Sequence, residues 1–467
     1  MERVIVFNSS LWFVLSIISG WGPVVSKSVD LLIKNGSIVS PGGISQADIG
    51  IANGKIVTLG DLSGVSAANV IDAKNLHVLP GVIDSQVHFR EPGLEHKEDI
   101  EHGTRSAIKG GVTSIFEMPN TSPLTLDEDT LSQKLEIARR TSWCDFAFFM
   151  GGNSENAHQL AELERLPGCA GVKIFMGSST GTLLAKDDEV IAMVLANGTR
   201  RVSVHAEDED RLLSRQGIAV SAETVEAHPD WRDVESAVRA TKRLIQLARD
   251  ANRRVHVLHI SSKDEMDILA NHKDLITVEV TLNHLSLAAP DCYEALGAFS
   301  QMNPPVRDIS HQNGLWDAIQ NGIVDVIGSD HAPHTKEEKE RPYPSSPSGM
   351  PGVQTSLPLL LDHVNRGRLT LERVVDLTAA GPQRIFGIMG KGRIAVGYDA
   401  DLVLVDLNAD RVITNEWIES KCGWTPFNDT KVRGWPITTI LRGKIAMQDD
   451  EILGEPLGAA VRFFETT

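Results

Sequence analysis

Eight short, nearly apolar segments recur between residues 78 and 330, each followed by a stretch of helical character. This alternation restricts the fold more than any other feature of the chain. The segments are VLPGVIDSQVHF, VTSIFEMP, FAFFMGG, AGVKIFM, RVSVHA, VHVLHI, ITVEVT and IVDVIGSD. Short runs rich in Val, Ile and Phe suit strands covered on both faces, as in parallel sheets. Between them, DVESAVRATKRLIQLARD places Val234, Ala237, Val238, Leu244, Ile245 and Ala248 on one helical face. Eight β-then-α units predict an α/β fold, a closed parallel (β/α)8 barrel of the TIM type; a doubly wound open sheet is the alternative. No G-x-G-x-x-G follows the first strand and no Walker A sequence is present, which leaves nucleotide cofactors without support.

Two β-rich segments bracket this region. DLLIKNGSIVS and ADIGIANGKIVTLG carry Asn35-Gly36 and Asn53-Gly54 between apolar runs, a hairpin signal. A similar texture returns in GRIAVGYDADLVLVDLNADRVIT and TTILRGKIAM. The expected organisation is a leader or extension over 1–27, a composite β-sandwich from 28–78 and 392–447, a barrel over 79–391, and a tail over 448–467. The apolar run at 11–19 lacks a basic flank and an A-x-A cleavage site. It is also shorter than the roughly 20 residues of a membrane span. We therefore expect an extension ahead of a functional chain that begins near 25–28.

A net charge of −17 and a pI near 5.3 argue for a soluble protein and against a nucleic-acid binder, which would need a basic face. The four cysteines are widely spaced, with no C-x-x-C pair, so a reducing, cytoplasmic setting is expected.

In a barrel of this kind, chemistry sits at the C-terminal ends of the strands. The first strand ends in Asp84-Ser85-Gln86-Val87-His88-Phe89-Arg90 and the second in Met118-Pro119-Asn120. Lys173 lies in the fourth, His205 ends the fifth, His259 the sixth, and Asp330 the eighth, with His331 and His334 just beyond. Metal-assisted hydrolysis fits this set. Zinc takes imidazole and carboxylate ligands and lowers the pKa of bound water to about 7. His88, His205 and His259 suit such ligation, and Asp330 suits a base that passes a proton to a leaving nitrogen. Lys173 cannot ligate as an ammonium, but as a carbamate formed with CO₂ it would act as a carboxylate. Taken singly, each residue has a plainer role: a packed histidine, a lysine paired with an internal acid, an aspartate capping a turn. The recurrence of metal-type residues at separate strand ends favours the site.

PGVIDSQVHFREPG, EMPNT, GVKIFM, HAED, VHVLHIS, QMNPPVR and GSDHAPH, in this order, resemble the motif series of the dihydroorotase family of cyclic amidohydrolases, over residues 29–447. The resemblance implies a barrel with a small β-sandwich, one or two Zn²⁺ ions, and reversible hydrolysis of L-dihydroorotate to N-carbamoyl-L-aspartate in pyrimidine synthesis. It implies metal-ligand roles for His88, His205 and His259, an N6-carboxylated bridging Lys173, and a catalytic Asp330. It implies that Arg90, Asn120 and His334 hold the substrate carboxylate, that Asn303 contacts the ring, and that the chain is a homo-oligomer.

Gln86 departs from the family, which usually has His-x-His there; an amide oxygen ligates zinc more weakly, so one tightly held ion is expected. Asn283, in Thr281-Leu282-Asn283-His284, departs from a common Pro-His-His. Arg90 argues for the substrate, because a guanidinium fork suits a carboxylate and neutral hydantoins, dihydropyrimidines and allantoin have none. An Arg90–Glu91 ion pair is the alternative use of that residue. The alternative functions are an allantoinase or a hydantoinase/dihydropyrimidinase, and a non-catalytic paralogue, to which Gln86 points. The segment 335–352 is expected to be a loop at the mouth of the site, its lysines and glutamates solvated. The segment 177–182 is expected to be a mobile loop, and Trp424 and Trp435 to be packing residues.

Overall fold

The computed structural model describes residues 28–179 and 183–464. All eight expected strands form one parallel sheet, Val82–Val87, Val112–Glu117, Asp145–Gly151, Cys169–Phe175, Val202–His205, Val255–Val257, Ile276–Thr281 and Val326–Gly328, in chain order. The last strand is brought back to the first by a parallel bridge between Val87 and His331, where the His88 amide donates to the His331 carbonyl at 2.7 Å. The sheet is a barrel, not an open doubly wound layer. Every residue of these strands is buried, which is why they read as apolar runs without alternation.

Helices wrap the barrel, and aspartates start several of them: Asp99, Asp127, Asp208 and Asp233 each accept a first-turn backbone N–H. The helix predicted around residue 240 runs Val234–Asp250 and buries Ala237, Val238, Leu244, Ile245 and Ala248, as its periodicity requires.

The chain ends meet outside the barrel. Leu402–Ile413 pairs with Thr430–Leu441 on one side and with His77–Pro80 on the other, inside a seven-stranded sheet that also holds Ser37–Ser40. A four-stranded sheet of N-terminal strands shares its core, in which Leu31, Ile49 and Ile56 meet Val78, Leu402 and Ile440. Each fully buried aliphatic side chain there contributes about 1.5–3 kcal/mol.

Asn53-Gly54 is the predicted two-residue hairpin, joining Asp48–Ala52 to Lys55–Gly60 with both turn residues at positive φ. Asn35-Gly36 is not a hairpin. The strand before it, Ser28–Lys34, pairs with Asp48–Ala52 and Ser66–Asp72, and the strand after it, Ser37–Ser40, belongs to the other sheet. Asn35 turns the chain between sheets, its amides held by Asp48 and Asp72.

Residues 459–461 hydrogen-bond with Phe146 at the start of the third barrel strand. Among the described residues no helix is long and apolar enough to cross a membrane, and the apolar run at 11–19 lies outside them.

Candidate active site

Side chains from separate strand ends line a narrow cavity at the C-terminal mouth of the barrel. Gln86, His88, Arg90, Asn120, His205, His259, Asn303 and Asp330 all reach it. Three of them, Arg90 (φ 66°), His259 (φ 38°) and Asp330 (φ 47°), have a left-handed backbone that non-glycine residues rarely adopt. At Arg90 the cause is a tight turn, in which the Glu91 amide donates to the Phe89 carbonyl at 2.8 Å. Strain of this kind is held in place by the surrounding fold and aims side chains that a plain strand end would not present.

Two pairs of donor atoms face each other. Nδ1 of His205 lies 3.0 Å from Nε2 of His259, and Nε2 of His88 lies 3.3 Å from Oδ1 of Asp330. Two of the three remaining ring nitrogens, those of His88 and His205, are braced from behind. His88 Nδ1 meets Oδ1 of Asn120 at 2.8 Å, so the ring proton belongs on that side and the Nε2 lone pair faces the aspartate. His205 Nε2 lies 3.0 Å from Oε2 of Glu207, a buried carboxylate that draws the ring proton towards it. Burial opposes the charge on Glu207, yet Arg232 and His205 outweigh it and hold the acid at about 2. Burial keeps His88, His205 and His259 below the usual imidazole range, which leaves them neutral and fit to ligate.

Lys173 is 1% exposed and lies beneath the lining of the cavity. Among the described residues its Nζ has no hydrogen-bond partner, and no acid forms an ion pair with it. Burial pushes it down to about 7, against the pull of Asp330 and Glu279. A neutral amine at this position is the form that reacts with CO₂.

Among the described residues no three His, Cys, Asp or Glu side chains make an ion site by themselves. The set that converges here is broken by an amide and an amine, Gln86 and Lys173. The donor chemistry nonetheless fits a divalent cation. Ligands about 2.1 Å from a tetrahedral ion stand about 3.4 Å apart, close to the two facing separations. His259 Nδ1, Gln86 Oε1 and Lys173 Nζ are buried polar atoms without partners. Gln86 turns its amide nitrogen, not its oxygen, towards Asp330, donating to Oδ1 at 2.9 Å.

Arg90 is buried and in no ion pair among the described residues. Its Nε donates to the Pro333 carbonyl at 3.2 Å. Glu91 is engaged elsewhere, accepting from the Ile100 amide at 2.9 Å, so the Arg90–Glu91 pair does not form. His334 stands behind Arg90 and does not line the cavity: its Nε2 is 3.3 Å from Arg90 Nη2 and 3.0 Å from the Ser348 carbonyl. One ring nitrogen cannot accept from the first and donate to the second. Asn303 is partly exposed, and His228 Nε2 holds its Oδ1 at 2.9 Å.

The segment 335–352 does border the site, through Ser348 and Gly349. Its charges are not all solvated: Lys339 is buried against backbone carbonyls, and Glu338 meets Lys97 at 3.2 Å. Ser179 reaches the cavity from the segment after strand four, whose residues 180–182 lie outside the described residues. Trp424 and Trp435 are buried, as expected.

Three buried charged positions in or beside the site escaped the sequence. Glu207 sits in the HAED motif two residues after His205, the one signal for it. Glu279 lies in ITVEVT on the seventh strand, fully buried, accepts from Ser85 Oγ at 3.1 Å, and is raised to about 8 by burial. Lys339 gave no sequence signal.

The barrel, its strand-end imidazoles and its buried lysine define a hydrolase of the amidohydrolase type. The amidohydrolase family profile matches residues 77–446, and the chain belongs to that family. Within it, the chain is 36% identical over 442 residues to a dihydroorotase of Methanosarcina acetivorans, covering 91% of this chain and 94% of the relative. It is 37% identical to a dihydroorotase of Pyrococcus abyssi, covering 92% and 98%. The solved L-hydantoinase (dihydropyrimidinase) from Arthrobacter aurescens superposes with a TM-score of 0.88 at 31% identity, covering 93% of this chain and 99% of that one. The protein is therefore a cyclic amidohydrolase.

Proposed function

We propose that this amidohydrolase opens L-dihydroorotate to N-carbamoyl-L-aspartate and closes it again, in the cytoplasmic synthesis of pyrimidines. The observation that carries the reading is Arg90, a buried guanidinium on the cavity wall with no carboxylate to pair with among the described residues. A carboxylate on the ring would satisfy its fork, beside Asn120. The resemblance to a hydantoinase supports a second reading, in which a neutral ring is the substrate.

The residues that would hold a metal are His205, His259 and Lys173 as its carbamate on one side, and His88 with Asp330 on the other. When bound, the ion, zinc in our reading, supplies Lewis acidity and lowers the pKa of water. Asp330 takes the proton of the attacking water as its oxygen bonds to the ring carbonyl carbon. The C–N bond then breaks, and Asp330 returns the proton to the departing nitrogen. Gln86 orients Asp330 through the 2.9 Å hydrogen bond. Because its amide nitrogen faces the site, we propose one tightly held ion, on the His205 side.

The test is a panel of dihydroorotate, hydantoin, dihydrouracil and allantoin on the zinc-loaded enzyme, with metal content measured alongside. Preferential opening of dihydroorotate is expected. Turnover of hydantoin or dihydrouracil without dihydroorotate would establish the second reading instead.

A further inference from the structure

Lys339 closes the short helix Lys336–Lys339, in the segment that follows the eighth barrel strand. It is 1% exposed, and its ammonium donates to the carbonyls of Gln301 (3.2 Å), Pro347 (2.8 Å) and Gly349 (3.0 Å). Three neutral acceptors use all three of its N–H bonds. No carboxylate pairs with it among the described residues, so its charge is hydrogen-bonded but not neutralised.

One of these carbonyls, that of Gly349, belongs to the wall of the substrate cavity, and the other two lie next to it in the chain or behind it. Gly349 and Ser348 line that wall, and Gln301 lies two residues before Asn303, which lines it as well. Gln301 ties the same segment a second time, its Nε2 donating to the Ser346 carbonyl at 3.1 Å and to Ser348 Oγ at 3.0 Å. Arg90 adjoins this wall through His334, whose Nε2 lies 3.3 Å from Arg90 Nη2 and 3.0 Å from the Ser348 carbonyl, and it too has no acid partner among the described residues. Burial and then the charge of Arg90 push Lys339 down to about 7, while its three carbonyl acceptors favour the protonated amine, which alone has three N–H bonds to give. Two buried positive charges that repel beside one wall of a cavity are relieved together when an anion binds at that wall.

We infer that Lys339 is a specificity-determining positioning residue: through the Ser348–Gly349 wall, and by a positive charge no protein acid cancels, it makes this cavity select anionic rings. The inference rests on the dihydroorotase reading and adds a second cation to it. Lys339 does not touch the substrate; it acts through the wall and the field.

The experiment uses the zinc-loaded full chain with dihydroorotate, and compares Lys339→Gln with Lys339→Arg. Glutamine keeps a hydrogen-bond donor and loses the charge; arginine keeps the charge. Lys339→Gln is expected to raise KM about 10-fold or more while kcat stays within about 3-fold and metal content is unchanged, and Lys339→Arg to restore most of the KM. Equal KM values for wild type and Lys339→Gln, or a loss in kcat alone, would overturn the inference while leaving the dihydroorotase reading intact. A wild-type enzyme that ignores dihydroorotate and opens neutral rings would overturn both. Gln301→Leu loosens the same wall with the charge in place, which keeps the question answerable even if the glutamine variant fails to fold. Its KM is expected to rise less than about 3-fold. A rise as large as that predicted for the loss of charge would show that wall geometry, not charge, does the selecting, and would overturn the inference.

Discussion

The side-chain amide of Gln86 donates to Oδ1 of Asp330 over 2.9 Å, on the side of the cavity that His88 shares. A hydrogen-bond donor in that place orients the aspartate and keeps a ligand atom from a cation. Gln86→His replaces the donor with an imidazole that can ligate, and is expected to raise bound zinc from about one to about two ions per chain. Gln86→Leu removes the donor and is expected to lower kcat about 10-fold or more with KM little changed, because proton transfer depends on the carboxylate's position. Metal analysis beside steady-state kinetics checks both, and two ions in the wild type would contradict the first.

Arg90 makes a different kind of contribution. Arg90→Lys keeps a charge and loses the planar fork, and Arg90→Ala loses both. A charge-assisted bidentate contact is worth about 2–3 kcal/mol, so the alanine variant is expected to raise KM for dihydroorotate roughly 30- to 160-fold, with zinc content unchanged. Lysine should fall between. Unaltered KM in Arg90→Ala would remove the basis for an anionic substrate.

The barrel was legible because eight strands buried on both faces leave eight unbroken apolar runs, and its catalytic mouth was legible because strand ends are fixed once strands are. Asn35-Gly36 misled because a two-residue turn reports only local backbone: the strand before it pairs with Asp48–Ala52, and the strand after it pairs onward with Gly43–Gln46 and His77–Pro80 in the other sheet. Lys173 drew attention as a charge inside an apolar strand. Glu279 carries the same signal in ITVEVT, and there the surrounding apolar residues conceal that its neighbours in space are Ser85 and His256. Glu207 and Lys339 depend on Arg232 and on the carbonyls of 301, 347 and 349, contacts between distant segments that no local pattern encodes. The positive φ of Arg90, His259 and Asp330 was equally hidden, since none of the three is a glycine.

Lys173 sets a pH dependence of stability and of metal loading. Its ordinary value of 10.5 falls to about 7 in the folded chain, through burial. Between those values the unfolded chain binds the proton and the folded chain does not, so metal-free, carbamate-free protein gains stability as pH rises through this window. Below about 7 the buried charge is fully present and the contribution is lost. Carbamate formation joins the neutral amine nitrogen to CO₂ carbon and releases a proton, so it too is favoured above 7. Reconstitution with zinc and bicarbonate is expected to be markedly faster at pH 8 than at pH 6, and the native mass should rise by about 44 Da over the metal-loaded sum, the mass of the added CO₂. Lys173→Met should abolish that mass shift and flatten the pH dependence; full zinc loading without the added mass would contradict the carbamate.

Glu207 and Arg232 form a buried ion pair whose carboxylate also stands 3.0 Å from His205 Nε2. The acid is lowered from 4.5 to about 2, so its contribution to stability is complete above 4.5 and is lost as pH falls from there towards 2. Glu207→Gln is nearly isosteric but leaves Arg232 buried without a counter-charge, which is expected to cost about 3–5 kcal/mol at neutral pH. Adding Arg232→Met should recover much of that loss, because it removes the stranded charge. Metal retention should not follow stability in this series. The imidazole of His205 loses its orienting acid in both variants, so zinc affinity measured by chelator competition is expected to fall about 10- to 100-fold in each. Recovery of zinc affinity together with stability in the double variant would show that Glu207 serves the fold alone.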